Sequence, residues 1–266
     1  MKRTNATLKD VNAVYDGPEG KLWELIMGEQ VHVGGWKSSK ILAEKAGIAK
    51  GMKVLDLCSA LGAGVRFLVK NYQVKGFGLD GTRTMHEEAQ KRAKVEGLAD
   101  RIELKLGNAM DIPWPASTFD VVWGEDAWCY VEDKGKLLAE ASRVLKPGAT
   151  LAFTDWIEGP KGISDQEAER INRFMKFPSV ESLTGYRALL EKNGFTVQEA
   201  TDLTPEFAEY CHFYIKMLTD QLTYDALRIV GDDQAMFAAL GGEMQYMAER
   251  AGEGKFGRGR FIARKR

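Results

Sequence analysis

The chain has 266 residues, long enough to bury about three quarters of its unfolded surface as one large domain, or as one domain with an elaborated cap. Hydrophobic residues make up 44% and charged residues 28%, as in a soluble globular protein. With a formal net charge of −1, no whole-chain field draws it to nucleic acid or to an anionic membrane.

The start MKRTNATLKD is basic but leads into no apolar stretch, and no run approaches 18 apolar residues, so neither a signal peptide nor a membrane span is expected. Three cysteines, Cys58, Cys129 and Cys211, lie far apart without CxxC spacing. That supports neither a metal site nor a disulfide framework, and fits a reducing, cytoplasmic compartment.

The first 50 residues read as an N-terminal helical cap. GPEGKLWELIMG puts Leu22, Trp23, Leu25 and Ile26 within about two helical turns, and Gly28 stops that helix. EQVHVGGW is a loop, and SSKILAEKAGI is a second helix with Ser38 or Ser39 as its expected cap. From Lys53 the pattern alternates. Strands are predicted at 53–57, 74–80, 102–107, 119–124 and 150–156, with helices at about 62–71, 82–96 and 134–145 between them. This order implies right-handed crossovers and a parallel, doubly wound sheet covered on both faces. Helices are expected at 164–176 and 181–193, then a strand at 195–203. Residues 205–256 read as a helical lid inserted before a last strand at 257–266, which leaves 51–204 as the sheet core.

Two strand ends carry the chemistry. KVLDL ends at Asp56–Leu57 and passes into the small-residue turn CSALGAG, and GFGLD ends at Asp80, eighteen residues after Gly62. A strand–loop–helix–strand unit of this kind offers a nucleoside cofactor close-approach backbone and a ribose-binding acid. Cys58, Ser59 and Ala60 stand where such loops usually carry glycine. The expectation is a variant loop that still binds, with these residues at ordinary dihedrals.

VLDLCSALGAGVRFL, GFGLDGTRTM, LGNAMDIPW, FDVVWGEDAWCYV and LLAEASRVLKPGATLAFTDW resemble, in order, the motifs of the class I S-adenosylmethionine-dependent methyltransferases. The resemblance covers about residues 50–157 well and the rest more loosely. It implies a Rossmann-like α/β sheet of seven strands whose last hairpin is antiparallel. MGEQVHVGGW is further similar to a segment of glycine, sarcosine and dimethylglycine N-methyltransferases and of phosphoethanolamine N-methyltransferases. That implies a small-molecule acceptor, most simply a small amine of the glycine or sarcosine kind.

The resemblance assigns S-adenosylmethionine to Asp56, Ser59, Ala60, Gly62, Asp80, Gly81, Met85, Asn108, Ala109, Met110 and Glu125. Asp80 would accept both ribose hydroxyls, and Asn108 Oδ1 with a backbone N–H at Ala109 or Met110 would read the adenine edge. Arg83 would border the adenine or stay solvated. His32, Glu125 and Tyr15 are the catalytic candidates. Trp128, Trp156, Tyr130 and His212 are the substrate-contact candidates, since aromatic faces attract methylated ammonium. Trp123 belongs to the same aromatic group. A phosphoethanolamine-type acceptor would need a basic cluster. A glycine-type acceptor would need one arginine, with Arg173, Arg187 or Arg228 as candidates. Transfer to oxygen, carbon or sulfur, and a non-catalytic cofactor-binding protein on the same fold, are the alternatives.

Overall fold

A computed structural model describes residues 2–266. In chain order the elements are β1 (Lys2–Arg3), α1 (Leu8–Asp16), α2 (Pro18–Met27), α3 (Gly35–Ala46), β2 (Lys53–Leu57), α4 (Ala63–Tyr72), β3 (Lys75–Asp80), α5 (Arg83–Val95), β4 (Ile102–Leu106), β5 (Phe119–Glu125), α6 (Lys134–Val144), β6 (Leu145–Glu158), α7 (Asp165–Met175), β7 (Ser179–Ser182), α8 (Leu183–Lys192), β8 (Phe195–Asp202), α9 (Thr204–Asp220), α10 (Thr223–Ile229), α11 (Gln234–Gly252) and β9 (Phe256–Lys265).

The main sheet runs β4-β3-β2-β5-β6-β9-β8. β2 through β6 pair in parallel, and β9 lies antiparallel between β6 and β8. This is the expected mostly parallel sheet with an antiparallel last hairpin. Two short strands enlarge it. β6 is 14 residues long and outruns β5, so β7 pairs alongside Ile157 and Glu158, and β1 pairs with β7.

Successive residues of β2 face opposite ways, as a pleated strand requires. Val54 joins the core under α3 and α4, while Leu55 joins the core under α6 and α8. With both faces covered, the strand reads as a nearly continuous apolar run. A third apolar cluster ties Leu22 and Ile26 of α2 to Phe207 and Leu218 of α9 and to Met244 and Met247 of α11. The N-terminal helices and the helices preceding β9 thus pack on each other.

Three boundaries depart from expectation: β6 already begins at Leu145, Ser179–Ser182 form a strand where a helix is expected from 181, and the start of α3 is shifted. α3 begins at Gly35, with Gly34 as its left-handed N-cap. Ser38 and Ser39 are therefore inside the helix and buried, and cap nothing. Among the described residues no helix is long and apolar enough to cross a membrane, and no cluster of three metal-ligating side chains occurs.

Candidate active site

The carboxyl ends of β2, β3, β4 and β5 face one cleft, where parallel sheets place their ligands. It holds a partly open cavity of about 110 Å³.

The turn after β2 forms its floor. Cys58 and Ser59 both donate backbone N–H to Leu79 O, at 2.8 and 3.1 Å, and Gly62 N–H reaches Ser59 O at 2.7 Å. These bonds fold the chain back so tightly that Cys58 (φ 61°) and Ala60 (φ 42°) enter the left-handed region. The expected ordinary dihedrals are therefore wrong. The loop keeps the backbone shape that glycine normally supplies and accepts strain to do so. Val31 (φ 50°) and Asp126 (φ 54°) are strained in the same way, so four of the eight such non-glycine residues among the described residues line this one cleft.

Asp56 is buried beneath the start of α4. Burial, and then the charges of Glu125 and Asp80, push its carboxyl well above the usual range. Gly64 permits this approach, because a Cβ there would lie 2.9 Å from Asp56 Oδ2 and 3.5 Å from Glu125 Oε2. Gly62 does not line the cleft. It is the left-handed N-cap of α4, and its α-carbon sits against Ala89.

Asp80 is buried at the end of β3 and holds the two adjoining loops. Oδ2 accepts the Ala60 N–H and Oδ1 the Thr82 N–H, both at 2.8 Å. A carboxylate offers about four acceptor positions, so each oxygen retains capacity for a further donor. Burial raises the Asp80 carboxyl, and these two backbone bonds pull it back. Gly81 abuts Leu8 of α1, and Met85 lines the wall beside it. Asn108, Ala109 and Met110 form the far edge. Asn108 Oδ1 accepts the Met110 N–H at 2.8 Å, so one lone pair of that oxygen and the Met110 donor are committed to the turn.

At the end of β5, Glu125 meets the N-terminal segment. Its side chain is 5% exposed and lies 3.4 Å from His32 Nε2 through Oε1. Oε2 accepts from Ser39 Oγ and from Trp123 Nε1, both at 3.2 Å. Oε1 has no hydrogen-bond partner. His32 is buried; Nδ1 lies 3.1 Å from Val33 O, and Nε2 lies 3.0 Å from Ser39 Oγ. Burial raises the Glu125 carboxyl, which the facing His32 and the Ser39 bond partly offset.

The neighbouring Asp126 accepts the Val33 N–H at 2.9 Å and the Arg258 Nε–H at 2.7 Å. Arg258 also reaches Thr154 Oγ1 at 2.9 Å. Across the cleft the Tyr15 and Tyr130 hydroxyls lie 3.4 Å apart. Burial raises both phenols, so each stays protonated near neutral pH.

The structure thus brings Tyr15, His32, Asp56, Ser59, Ala60, Asp80, Gly81, Met85, Asn108, Ala109, Met110, Glu125 and Tyr130 to one cleft. Four of the aromatic and histidine candidates lie elsewhere. Trp123 is fully buried, reaching only Glu125 through its Nε1–H. Trp128 is fully buried and stacked on Phe153, with its Nε1–H toward Leu57 O. Trp156 packs edge-on against Phe177, Phe207 and Phe256. His212 sits on the exposed face of α9 with Nδ1 on Ala208 O. Arg83 is exposed beside Glu87. Arg173, Arg187 and Arg228 are exposed and line no part of the cleft.

Sequence reasoning missed Ser39, Gly64, Thr82 and Gln30. Gly64 carried a usable signal, since it stands in the same small-residue turn as Gly62. Ser39 carried none, because its partners are 7 and 86 residues away.

Residues 55–153 match the model of a methyltransferase domain. The chain is 25% identical over 247 residues to the sarcosine/dimethylglycine N-methyltransferase of Aphanothece halophytica, covering 86% of this chain and 87% of that protein. It is 28% identical over 217 residues to the 27-O-demethylrifamycin SV methyltransferase of Amycolatopsis mediterranei, covering 76% and 79%. Its fold superposes with a TM-score of 0.86 on the phosphoethanolamine N-methyltransferase 2 of Haemonchus contortus, solved with phosphomonomethylethanolamine and S-adenosylhomocysteine. That match has 21% identity over 97% of this chain and 60% of the other.

Proposed function

We propose that this chain, an S-adenosylmethionine-dependent methyltransferase, carries the methyl group to the nitrogen of a small amine. The observation that carries the amine reading is Glu125, a buried carboxylate with an unpartnered oxygen at the end of β5 and His32 directly behind it.

The cleft suits the cofactor on three counts. Gly64 leaves a cradle that any side chain would fill. Asp80 keeps free acceptor positions on a fixed carboxylate. The acids Asp56, Asp80, Glu125 and Asp126 give the walls a negative character suited to a sulfonium. Asp80 would hold the ribose hydroxyls, the turn at Ser59–Ala60 and Asp56 the amino-acid portion, and Met85 with Asn108–Met110 the base. When bound, the cofactor supplies a methyl electrophile that reacts by direct in-line displacement.

The protein's own work is alignment and proton handling. Holding the nucleophile in line is worth about 7–11 kcal/mol. A protonated amine has no lone pair, so it must lose a proton first. Glu125 Oε1 would accept it, with burial having raised this carboxyl toward the range useful for a base. His32 Nε2, 3.4 Å away, would share that proton while Ser39 fixes both partners. Tyr15 and Tyr130 would orient the acceptor as neutral hydroxyls.

A second reading is transfer to oxygen. The same Glu125–His32 pair would deprotonate a hydroxyl, and the relative named for its rifamycin substrate acts on one. The test is calorimetry with S-adenosylhomocysteine on wild type and Asp80→Asn, followed by mass spectrometry of methyl transfer to a panel of amines and alcohols. No heat from wild type refutes the cofactor reading, and methylation confined to alcohols refutes the amine reading.

A further inference from the structure

We infer that the methyl acceptor is an amine bearing no carboxylate or phosphate, an inference that rests on the amine-transfer reading above. Five carboxylates line the cleft: Asp56, Asp80, Glu125, Asp126 and Glu132. Among the described residues no lysine or arginine does.

Nearby basic side chains are committed elsewhere. Arg258 is buried on Asp126 and Thr154. Arg66 is buried on Leu61 O, Glu29 and Glu96. Lys134 Nζ is buried on Val131 O and on both oxygens of Ser179. α4 and α5 begin beside the ends of β2 and β3, and their N-termini soften a negative charge there. β5 instead runs into a three-residue 3-10 turn at Trp128–Tyr130. An anionic group at the β5 end would therefore face Glu125 and Glu132, while the nearby Arg258 is already paired with Asp126 and the nearby His32 already faces Glu125.

The positive side of the argument is Glu125 Oε1. Its side chain is 95% buried and that oxygen lacks a donor. An unmet buried acceptor is costly, and an amine or ammonium N–H supplies what it lacks. Tyr15 and Tyr130 line the same space, and aromatic rings attract methylated ammonium. The acceptor class is thus a cationic or neutral amine whose remainder is uncharged. It differs from the acids that the names of the two N-methyltransferase relatives mention.

The experiment uses matched pairs differing only in the anionic group: sarcosinamide with sarcosine, and ethanolamine with phosphoethanolamine. Each is titrated calorimetrically into wild-type protein saturated with S-adenosylhomocysteine, and methyl transfer from S-adenosylmethionine is followed in parallel. The expected result is binding and methylation of the uncharged-tail member, preferred at least about a hundredfold over its acid partner, since like-charge juxtaposition is strongly unfavourable. Glu125→Gln should weaken sarcosinamide at least about tenfold, the loss of one hydrogen bond to a charged group. Equal or tighter binding of sarcosine or phosphoethanolamine overturns the inference, and so does absence of binding by both uncharged-tail amines. The S-adenosylhomocysteine titration separates the two levels. Without its heat the methyl-transfer reading fails, whereas with it an anion preference sinks only the acceptor class.

Discussion

Replacing Ala60 by glycine should stabilise the protein, although glycine usually does the opposite. Ala60 has φ 42°, and a non-glycine residue in the left-handed region costs roughly 1–2 kcal/mol. Glycine removes that strain but gives the unfolded chain more freedom, at about 0.4–1 kcal/mol. The methyl group lost is half-buried and contributes little. The net change is therefore between about zero and 1.6 kcal/mol in favour of the variant. Ser59→Gly is the internal control. Ser59 is not in the left-handed region and its hydroxyl packs on Gly78, so this change should only destabilise. Cys58→Gly relieves the same strain but loses a side chain packed on the main core, so its gain should be smaller. Urea unfolding at constant m-value measures all three. Affinity for S-adenosylhomocysteine should survive Ala60→Gly, because the Ala60 N–H still reaches Asp80. If Ala60→Gly is less stable than wild type by as much as Ser59→Gly, the strain argument for this loop is wrong.

Asp80→Asn should weaken S-adenosylhomocysteine about tenfold to a hundredfold in calorimetry, since each hydrogen bond to a charged group is worth about 1.5–3 kcal/mol. Gly64→Ala drives a Cβ to 2.9 Å from Asp56 Oδ2 and should cost about 1–3 kcal/mol of stability by overpacking, read as a lower urea midpoint. Arg258→Met strands Asp126, whose partner in the ion pair is 2% exposed against its own 1%. It should cost about 3–5 kcal/mol, and adding Asp126→Asn should restore much of the loss. Burial pushes the Asp155 carboxyl up to about 6 despite Lys134 and the Tyr186 hydroxyl. A raised folded pKa favours the folded state most below the unfolded value of 3.8 and loses that advantage as pH rises through about 6. Urea midpoints should therefore fall across that window by a component that Asp155→Asn removes.

The sheet was legible because both of its faces are covered. Runs such as VVW and LAF have few arrangements open to them other than a buried strand, and their acidic ends at Asp56, Asp80 and Glu125 point to the cleft whichever helices cover them. The sign of φ at Cys58 and Ala60 was not legible. It is imposed by Leu79 O, which draws two successive N–H groups from another strand, and no local pattern records that bond. The tryptophan candidates lie outside the cleft for a related reason. An indole at a strand end is apolar enough for core or cleft, and Trp128 went to the core because Gly124 leaves the space its ring fills; a Cβ there would lie 2.4 Å from its Nε1. Ser38 and Ser39 looked like caps because the loop GGWKSS offers a cap residue type beside a helical pattern. The chain uses the left-handed Gly34 instead, which pulls one more turn into α3 and turns Ser39 toward His32 and Glu125.

That shift has a consequence for closure of the site. With α3 starting at Gly35, the segment Val31–Gly34 is held from both ends of the chain. Val33 N–H lies on Asp126, Gly34 N–H lies on the Tyr214 hydroxyl at 3.2 Å, and Asp126 is itself paired with Arg258 of the last strand. The wall carrying His32 is thus fixed by β5, α9 and β9 together, not by the N-terminal helices alone. Val31 tolerates a left-handed φ that a β-branched residue avoids, as expected where surrounding bonds over-determine the backbone. Opening this side of the cleft to admit an acceptor requires breaking the Val33–Asp126 bond, and also either breaking the Gly34–Tyr214 bond or moving α9 with the segment. The N-terminal segment and the helices before β9 therefore constrain each other, and substitutions at Tyr214 should alter acceptor entry without touching the cofactor-binding turn.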